Sequence, residues 1–414
     1  MNNDKNLQGD KRPKVIVYKS RLLPYSETFI RDQVRMLRGW RAILAGDGRV
    51  STGLALDGLD VRLLGYRHRI VQRVANRSSP YLVWSWPKLR ALRAEHANLL
   101  HIHFATDAYR IWPLARRLDL PTLITLHGYD INTYRSWWEA GNGGSFMRGF
   151  PEGLLTLAQD RRVHFIAVSE AIRQAAIEFG LPEEKITVRH IGVDTGKFTP
   201  GPKPLADRRD ILYVGRLVEK KGCRYLLEAF EQIQDDFPEY RLVIVGNGPL
   251  GEELRAYARE RGVRATFLGA LPSERVRQCL DQTRVFCLPS ITADNGDAEG
   301  LGIVILEAQA AGVPVITSAR GGAQEGIVHG QTGFAHAEKD VAALRAALVA
   351  LLQSDELADQ FGRRGREHVI ATMDIASCNR QLEELYDRHA FGTSRHAGAS
   401  GKVKTLPRGE RQCI

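Results

Sequence analysis

The stretch Ser290–Gly312, SITADNGDAEGLGIVILEAQAAG, follows the apolar run VFCLP and continues into an apolar helical pattern. It carries two carboxylates, Glu299 and Glu307, and Gly300 and Gly302 stand beside the first of them. Glycine lets a backbone turn tightly and approach a ligand closely. A helix that begins here leaves backbone N–H groups free to bind an anion. Those N–H groups would belong to Leu301, Gly302 and Ile303.

The spacing of the two carboxylates favours a long ligand over a hydrolytic acid/base pair. Eight residues of helix would separate Glu299 from Glu307 by roughly 12 Å. The two carboxyl groups of a glycosidase stand roughly 5–10 Å apart. An alternative without a ligand also fits the spacing, with Glu299 capping the helix and Glu307 in solvent.

The E-x7-E pattern of Glu299 and Glu307, together with its glycines, resembles the signature of retaining glycosyltransferases of family 4. The resemblance implies an α/β chain with the GT-B fold, in which two Rossmann-like, doubly wound domains face each other across a cleft. It also implies that Glu299 lies near the donor sugar and that Glu307 contacts the nucleotide ribose. The donor would further contact the turn formed by Gly300, Leu301, Gly302 and Ile303.

The length of the chain, 414 residues, is enough for two domains with substantial cores. We expect an acceptor-side domain over residues 1–198, a proline-rich linker over 199–209 and a donor-binding domain over 210–373. In this fold a closing helix, here 374–392, crosses back towards the first domain. The polar and basic residues 393–414 are expected to be disordered.

Cysteine use and hydropathy exclude several classes of protein. The five cysteines include no C-x-x-C pair, which argues against a disulfide framework and for a reducing compartment. No apolar run approaches the length of a membrane span, and the polar start MNNDKNLQGDKRPK is unlike a signal peptide. We therefore expect a cytoplasmic protein.

Positive charge is concentrated in the first half of the chain. Residues 1–200 hold 30 Lys and Arg against 19 Asp and Glu, a net charge of +11, whereas residues 201–414 hold 28 against 29. Residues 62–95 contribute eight cations against one acid, Glu95, with aromatic residues between them. This basic segment is either a surface for anionic membrane or lipid diphosphate, or a solvated basic face over core aromatics. Its members are Arg62, Tyr66, Arg67, Arg69, Arg73, Arg77, Tyr81, Trp84, Trp86, Lys88, Arg90 and Arg93.

The first strand of the chain, Lys14–Lys19, is followed by a segment at the crevice of an open α/β sheet. Ser26 is expected to cap a helix that runs to about residue 37, with Glu27 in its first turn. The letters SETFI, residues 26–30, resemble a segment of exopolysaccharide glycosyltransferases of the family. A role in the acceptor cleft and a plain capping role both stay open for Ser26 and Glu27.

Histidines stand on or after two later strands. His101 and His103 lie on one face of the strand 99–104, and His103 is near enough to its end to reach the crevice. No further ligand follows at metal-binding spacing. The strand 121–126 ends in His127 and, three residues on, Asp130, which we assign to the acceptor side. The resemblance implies that His127 lies close to the donor sugar and the acceptor, and a structural hydrogen bond to a carbonyl is the alternative.

Residues 132–153 read as a glycine- and aromatic-rich loop over the cleft. Its two tryptophans, Trp137 and Trp138, fit either stacking on a sugar or contact with a membrane. The sequence does not choose between these roles.

The second half of the chain alternates strand and helix, which indicates a parallel sheet. Its first strand, Asp210–Val214, leads to Gly215 and Arg216, and Lys221 follows at the start of a helix. This VGRL…KKG pattern resembles the family's grip on the donor diphosphate. Cations are unfavourable at a helix start, so a bound anion explains them better than solvent does. Arg offers a planar fork and Lys a point charge to such a diphosphate.

A second glycine-rich turn, residues 246–251, has the formal pattern G-x-G-x-x-G between a strand and a helix. A dinucleotide-binding enzyme is disfavoured, because this is not the first strand of its domain and the following strand brings no acid for a ribose. The turn instead resembles the donor-side loop of family 4, which implies donor contacts at Gly246 and Gly248. The family's GG…E loop is matched by Gly321, Gly322 and Glu325.

The resemblance implies retaining transfer of a sugar from a UDP- or GDP-sugar to a lipid-linked or oligosaccharide acceptor, in exopolysaccharide biosynthesis. We expect a peripheral protein on the anionic inner face of the cytoplasmic membrane. No metal is expected, because no D-x-D motif stands at a strand end and Arg216, Lys221 and a helix N-terminus can stabilise the leaving diphosphate. The absence of an obvious covalent nucleophile fits the front-face route proposed for the family.

Three alternatives remain. A nucleotide-sugar epimerase and a glycogen-synthase-like polymerase would share the GT-B fold. A nucleic-acid-binding protein would use the basic first half, but no recognition helix or RNA-binding aromatic pattern accompanies the charge, and no nucleic acid is expected. The sequence leaves the oligomeric state open.

Overall fold

A computed structural model of the chain describes residues 10–24, 27–50, 53–65, 86–318 and 320–392. Ser26, most of the basic segment and residues 393–414 lie outside these ranges. Strands β1–β15 and helices α1–α15 are numbered in chain order along the described residues. Most of them belong to two parallel sheets with helices packed against them.

The first sheet has the strand order β5-β3-β1-β6-β7-β8-β9, and all of its pairs are parallel. A separate two-stranded pair joins β2 and β4. These strands are β1 (Lys14–Tyr18), β2 (Arg21–Leu22), β3 (Arg41–Gly46), β4 (Gly48–Arg49), β5 (Val61–Leu63), β6 (Leu99–His103), β7 (Thr122–Leu126), β8 (Val163–Ala167) and β9 (Ile186–Val188).

The second sheet has the order β12-β11-β10-β13-β14-β15 and is also parallel throughout. Counted within the sheet this is 3-2-1-4-5-6, the order of a doubly wound dinucleotide fold. The expected fold class is confirmed. The strands are β10 (Asp210–Val214), β11 (Arg241–Val245), β12 (Ala265–Gly269), β13 (Thr283–Leu288), β14 (Val315–Ser318) and β15 (Gly333–His336).

Helices connect the strands, as right-handed crossovers between parallel strands require. Those that precede the second sheet are α1 (Thr28–Met36), α2 (Trp86–Arg93), α3 (Ala105–Ala115), α4 (Tyr129–Asn132), α5 (Arg135–Glu139), α6 (Phe150–Ala158) and α7 (Glu170–Phe179). The others are α8 (Cys223–Glu231), α9 (Gly251–Glu260), α10 (Ser273–Leu280), α11 (Ile303–Ala310), α12 (Gly322–Glu325), α13 (Val341–Gln353), α14 (Asp355–Thr372) and α15 (Ile375–Phe391). Short 3-10 turns occupy Arg116–Leu118, Ser145–Gly149, Glu183–Lys185, Leu205–Asp207 and Glu219–Lys221.

The last helix, α15, returns to the first sheet. Its start is capped by Asp374, whose carboxylate accepts two helix N–H groups. One oxygen of Glu383 accepts the N–H groups of residues 38, 39 and 40 at 2.8, 2.8 and 3.2 Å. Tyr386, fully buried, hydrogen bonds His101 of β6 at 2.6 Å. The closing helix therefore ties the end of the described chain to the strand that precedes the crevice.

The structure corrects two expectations about the first domain. Glu27 is not in the first turn of α1 but precedes the helix, and its carboxylate makes no capping hydrogen bond. Residues 132–153 are not an open loop, since they contain α5 and a 3-10 turn. Trp138 is only 1% exposed and packs on Phe150, so it is a core residue and neither stacks on a ligand nor faces a membrane.

Cations of the basic segment that lie in the described residues are partly neutralised. Arg62 forms ion pairs with Asp60 and Glu95, each at 2.5 Å, and Lys88 pairs with Asp47 at 2.8 Å. Glu95, the single acid within the segment, is therefore not the only acid near its described cations, because β3, β4 and β5 bring Asp47 and Asp60 beside them.

Candidate active site

The candidate site lies where the carboxyl ends of the two sheets meet. In each sheet the strand order reverses beside the first strand, between β1 and β6 and between β10 and β13. Doubly wound sheets bind ligands in the crevice at such a point. The turn after β13 reaches the turn after β7, because Gly300 packs against the carbonyl of His127. The two crevices therefore form one cleft.

Glu299 and Lys221 form an ion pair on the second-sheet side of this cleft. Their carboxylate and ammonium groups are in direct contact, and the side chains are 11% and 15% exposed. Burial raises the pKa of Glu299, but the charges of Lys221 and Lys220 outweigh burial and hold that pKa below its usual value. Lys221 is thus neutralised by an acid 78 positions later in the chain, which the local sequence does not reveal.

Arg216 lies in the same connection between β10 and α8 as Lys221. It is exposed, and no residue within the described ranges forms an ion pair with its guanidinium. Burial raises the pKa of the Tyr129 phenol, while the nearby charge of Arg216 acts in the opposite direction. Arg216 therefore faces α4 of the first domain across the cleft as an available cation.

The turn before α11 is shaped mainly by the contact between domains. A Cβ atom at Gly300 would lie 1.9 Å from the carbonyl oxygen of His127. The hydroxyl of Ser169 donates to the carbonyl of Gly300 at 2.7 Å. Gly302 adopts a left-handed conformation with φ 72° directly before the helix. Gly300 is therefore required for close approach of the other domain, and a contact between this turn and a donor stays a prediction.

The remaining groups at this turn suit an anion. Leu301 is buried at 3% exposure, and helix α11 begins at Ile303. No described residue accepts a hydrogen bond from the N–H of Gly302 or Ile303. These N–H groups are therefore available to a ligand at the positive end of the helix.

Glu307 lies within α11 and is 8% exposed. Burial raises its pKa to about 8, the charge of Lys197 opposes the rise, and Asp32 of α1 adds to it. Its carboxyl group forms no hydrogen bond or ion pair with a described residue, although Lys197 lies nearby. Glu307 thus points towards the first domain as a nearly buried acid without a bound partner.

His127 faces these groups from the end of β7. Its ring packs against Phe104 and Phe29, with centroids 4.3 and 5.0 Å apart. Its Nε2 lies 3.0 Å from Nδ1 of His103. Burial, followed by the neighbouring charges of His101 and Lys19, lowers the pKa of His127 well below its usual value. The ring is therefore neutral at physiological pH.

Asp130 supports His127 through the backbone. Its carboxylate is fully buried and accepts the N–H groups of Ala105, His127 and Gly128 at 2.7, 3.0 and 3.0 Å. Burial raises its pKa, although these N–H groups act in the opposite direction. Asp130 therefore fixes the strand ends of β6 and β7 rather than opening towards the cleft.

A second polar cluster lies at the switch point of the first sheet. The ammonium of Lys19, directly after β1, is 2.9 Å from Asp107 and 3.6 Å from Glu27. Burial raises the pKa of Glu27 to about 7, with Lys19 opposing the rise and Asp107 adding to it. The second carboxylate oxygen of Glu27 is buried, and no described residue hydrogen bonds to it. Lys19 also lies 4.7 Å above the ring of Phe104, which contacts His127.

Lys19 and Asp107 were not identified by sequence reasoning. The rule that selected His127, that a side chain directly after a parallel strand reaches the crevice, applies equally to Lys19. Asp107 gives no such signal, because it lies inside α3 and reaches Lys19 only through packing of the helix on the sheet.

The glycines of the turn 246–251 serve packing. A Cβ at Gly246 would lie 1.8 Å from the carbonyl oxygen of Gly215, and one at Gly248 would lie 2.2 Å from that of Leu217. The turn therefore supports the segment that carries Arg216. The structure places Gly246 and Gly248 beside the candidate donor site without showing a contact to a donor.

Glu325 joins the two domains across the cleft. Its two carboxylate oxygens accept the N–H groups of Glu170 and Ala171 at 2.9 and 2.8 Å, at the start of α7. Burial raises its pKa, but hydrogen bonds from His190 and these N–H groups lower it below its usual value. Ser169 caps the same helix from within. The start of α7 is thus capped from both domains.

Two further properties bear on the class of protein. Within the described part of the chain, no three or more His, Cys, Asp or Glu side chains are grouped as metal ligands. None of the described helices is both long and apolar enough to cross a membrane.

Comparison with known families matches both halves of the chain. The model of Glycosyltransferase Family 4 matches residues 37–197, and the model of glycosyl transferases group 1 matches residues 199–368. A GDP-mannose-dependent alpha-(1-6)-phosphatidylinositol monomannoside mannosyltransferase of Mycolicibacterium smegmatis is 31% identical over 286 residues, covering 66% of this chain and 72% of that protein.

The chain belongs to glycosyltransferase family 4.

Another family member, from Escherichia coli K12, is named for colanic acid biosynthesis and is 36% identical over 213 residues. That match covers 50% of this chain and 52% of the relative, so it spans about half the length of both. Among solved structures, HepE of Anabaena in complex with UDP and glucose superposes with a TM-score of 0.75 at 19% identity. The superposition covers 90% of this chain and 99% of HepE, and it shows that the two proteins share the GT-B fold.

Proposed function

We propose that this chain is a retaining glycosyltransferase that moves a sugar from a nucleotide-diphosphate sugar to a glycan acceptor. One observation carries the proposal. The exposed Arg216, which pairs with no described acid, lies in the same β10–α8 connection as Lys221 of the Lys221–Glu299 pair, and His127 lies on the other side of the cleft. Such a site offers positive charge to a leaving diphosphate and neutral polar groups to a sugar.

The charge balance of the site fits a diphosphate. Glu299 accepts from only one of the three donors of the Lys221 ammonium, so that group can also serve a phosphate oxygen. Arg216 adds a planar fork. The free N–H groups at the start of α11 would bind the same anion. Together these groups would stabilise the negative charge that develops when the sugar–phosphate bond breaks, which is a large term in catalysis.

The reaction would retain the anomeric configuration by attack on the face that the diphosphate leaves. Glu299, which is paired with Lys221, would contact the donor sugar without forming a covalent intermediate. His127 is neutral beneath the cleft. The acceptor hydroxyl would give its proton to the departing phosphate oxygen, and Glu27 and Lys19 would line the acceptor side.

The donor and the pathway are proposed from relatives. One relative is named as GDP-mannose-dependent and another for colanic acid biosynthesis, while the solved HepE structure holds UDP. We infer a UDP- or GDP-sugar donor, a lipid-linked acceptor and a place in exopolysaccharide biosynthesis. The base, the sugar and the linkage stay open.

Docking on the cytoplasmic face of the membrane is part of the proposal. A lipid-linked acceptor presents its sugar just above the bilayer, so the acceptor-side domain must approach the surface. Trp86 and Leu63, both in the basic segment, are 61% and 58% exposed. Exposed Trp beside basic side chains is typical of the membrane interface.

Thermal unfolding in the presence of UDP-, GDP- and ADP-sugars tests the donor. A donor that binds the folded chain raises the midpoint by mass action, and the chain alone with sodium diphosphate serves as the control. The donor that stabilises the fold is then incubated with and without a lipid-linked glycan.

Product analysis separates the possible functions. Transfer of one sugar with retained configuration, seen by NMR of the anomeric proton, supports the proposal. A long polymer would indicate a glycogen-synthase-like enzyme, and an altered sugar without acceptor would indicate an epimerase. No stabilisation by any nucleotide sugar overturns the proposal.

A further inference from the structure

We propose that His103 is a positioning residue that holds His127 in the tautomer with its proton on Nδ1, so that His127 donates a hydrogen bond into the cleft. The effect of this inference on catalysis rests on the proposed function, whereas the geometry of the two rings does not. The two rings lie 5.3 Å apart at 28°, and His103 Nδ1 is 3.0 Å from His127 Nε2. His103 is fully buried, and His127 is partly buried.

The protons can be arranged in only two ways if both rings are neutral. Either His103 Nδ1–H donates to His127 Nε2, or His127 Nε2–H donates to His103 Nδ1. In the first case the other nitrogen of His103, Nε2, carries a lone pair. In the second case it carries a hydrogen. The two arrangements place opposite groups at Nδ1 of His127.

The surroundings of His103 favour the first arrangement. Its Nε2 is buried and meets no hydrogen-bond partner among the described residues. Among buried backbone groups, an N–H without an acceptor is rarer than a carbonyl without a donor. We expect the same for a buried imidazole, so that its unpaired nitrogen carries a lone pair and not a hydrogen. A hydrogen on that nitrogen would be such an orphaned donor, at the full cost of its desolvation. His103 therefore carries its hydrogen on Nδ1 and donates to His127.

The tautomer of His127 follows from this. Its Nε2 is an acceptor, so the neutral ring carries its hydrogen on Nδ1. Nδ1 has no partner among the described residues and is absent from the buried, unpaired atoms, so it keeps access to the cleft. His127 then cannot accept a proton from the acceptor at Nδ1. It donates instead to an oxygen of the bound sugar or phosphate, and a donor sugar that lacks this oxygen is discriminated against.

The neighbouring His101 provides a matched control. It lies two residues earlier on β6, is equally buried and packs on His103 with centroids 4.4 Å apart. Its nitrogens bind the hydroxyls of Tyr386 and Thr125, each at 2.6 Å, and not His127. Hydroxyls donate or accept, so His101 imposes no tautomer on the pair.

The test is ¹⁵N NMR of the full chain labelled in histidine, in which long-range ¹H–¹⁵N correlations show which nitrogen is protonated. The His127 signals are assigned by their loss in His127→Gln. We expect the Nδ1–H form in the wild type. The Nε2–H form overturns the inference, whether or not the chain transfers sugar, so its failure is distinct from failure of the proposed function.

Three variants test the role of His103. His103→Asn keeps an N–H at the place of Nδ1 and should preserve the tautomer of His127. His103→Leu should remove the constraint on the tautomer of His127. It should also lower kcat on the order of 10²-fold, as expected when one oriented donor is lost. His101→Gln should leave the tautomer unchanged. If His101→Gln shifts the tautomer as much as His103→Leu does, general disturbance of packing explains both, and the positioning role is rejected.

Discussion

Arg216 and Lys221 offer unequal charges to a ligand, and this difference can be tested. Arg216→Ala should lower kcat/KM for the donor on the order of 10²-fold without loss of stability, because the side chain is exposed and unpaired. Lys221→Ala should lower kcat/KM and also the unfolding midpoint, because it leaves Glu299 buried without its cation. Steady-state kinetics and thermal unfolding measure both. Arg224→Ala, which removes an arginine paired with Glu228 on α8, is the control and should change kcat/KM little.

Substitution of the two carboxylates of the E-x7-E pattern should impair binding and catalysis to different degrees. Glu307→Gln removes an acid that the structure leaves without a partner, so we expect weaker binding of the bare nucleoside diphosphate. Glu299→Gln removes the partner of Lys221 at the proposed sugar position, so we expect a lower kcat with smaller loss of nucleotide affinity. Calorimetry with UDP and GDP, combined with kinetics, separates the two effects. Equal loss of affinity in both variants would contradict this division.

The raised pKa of Glu307 predicts a pH dependence of stability. Burial holds this pKa at about 8 in the folded chain, against an ordinary value of 4.5. The folded state therefore binds the proton more tightly than the unfolded state, and stability falls as pH rises between these values. The Glu307→Gln variant has no ionisable group at this position, so it should not lose this stability as pH rises. The midpoint of the variant should rise relative to wild type between about pH 5 and pH 8, by about 2 °C or more.

Glu299 is the matched comparison for that measurement. Its pKa is lowered in the folded chain because its two lysine neighbours outweigh burial. Glu299→Gln should therefore lose stability relative to wild type at neutral pH, the opposite sign. A difference between Glu307→Gln and wild type that does not change with pH would show that Glu307 titrates normally.

At the scale of single residues, the sequence identified most polar groups of the site but not their pairings. His127, Arg216, Lys221, Glu299 and Glu307 were found from strand ends and motifs. The Lys221–Glu299 pair was not, because the residues are far apart in the chain and meet only when β10 and β13 become neighbours.

At the scale of elements, helix α7 is capped by Glu325 from the other domain, and this contact should control closure of the cleft. Glu325→Ala leaves two N–H groups of α7 without an acceptor and removes a negative charge from the helix start. The loss of a cap is worth about 0.5–2 kcal/mol. We expect a higher KM for the donor and a larger radius of gyration in small-angle scattering without ligand.

Asp340→Ala supplies the control for this element. Asp340 caps α13 through the N–H of Ala343, within the second domain alone. Asp340→Ala should lower stability about as much as Glu325→Ala does, while leaving the radius of gyration and KM unchanged. An unchanged radius in Glu325→Ala would show that the cap does not govern closure.

Elements with a strong apolar pattern were predictable, and those shaped by aromatic packing were not. Strand β10 was predicted to the residue because it is an apolar run between charged residues and a glycine. The region 132–153 was expected to be a loop, since its glycines and tryptophans lack helical spacing. Its structure depends on burial of Trp138 among Tyr129, Phe150 and Trp137, which no local pattern encodes.

At the scale of the whole molecule, the alternation of strands and helices predicted the second parallel sheet, whereas the two-domain fold was implied by the resemblance to the family. The closing helix packs back on the first sheet. The detailed shape of the cleft could not be predicted from the sequence. Its shape depends on contacts such as Gly300 on His127 and Ser169 on Gly300, which couple residues over 100 positions apart. Sequence motifs placed these residues at strand ends, but only packing of the two sheets brings them together.

The charge difference between the two halves of the chain predicts how the whole molecule meets a membrane. Arg62 and Lys88 are paired with acids, whereas Arg90 and Arg93 are exposed on α2 beside Trp86. Each basic side chain close to an anionic leaflet contributes about 1 kcal/mol. We expect binding to liposomes in co-sedimentation that rises with the fraction of anionic lipid and falls with salt.

Charge reversal shows whether the basic segment is the docking surface. Reversal to Glu of Arg67, Arg69, Arg73 and Arg77, which lie outside the described residues, should abolish co-sedimentation. The matched control reverses four exposed cations of the second domain, Arg259, Lys339, Arg345 and Arg364, and changes the net charge equally. If both variants lose binding to the same degree, net charge alone explains the attraction. If the first keeps its binding, the segment is a solvated face, because the loss of about four favourable contacts could not go unnoticed.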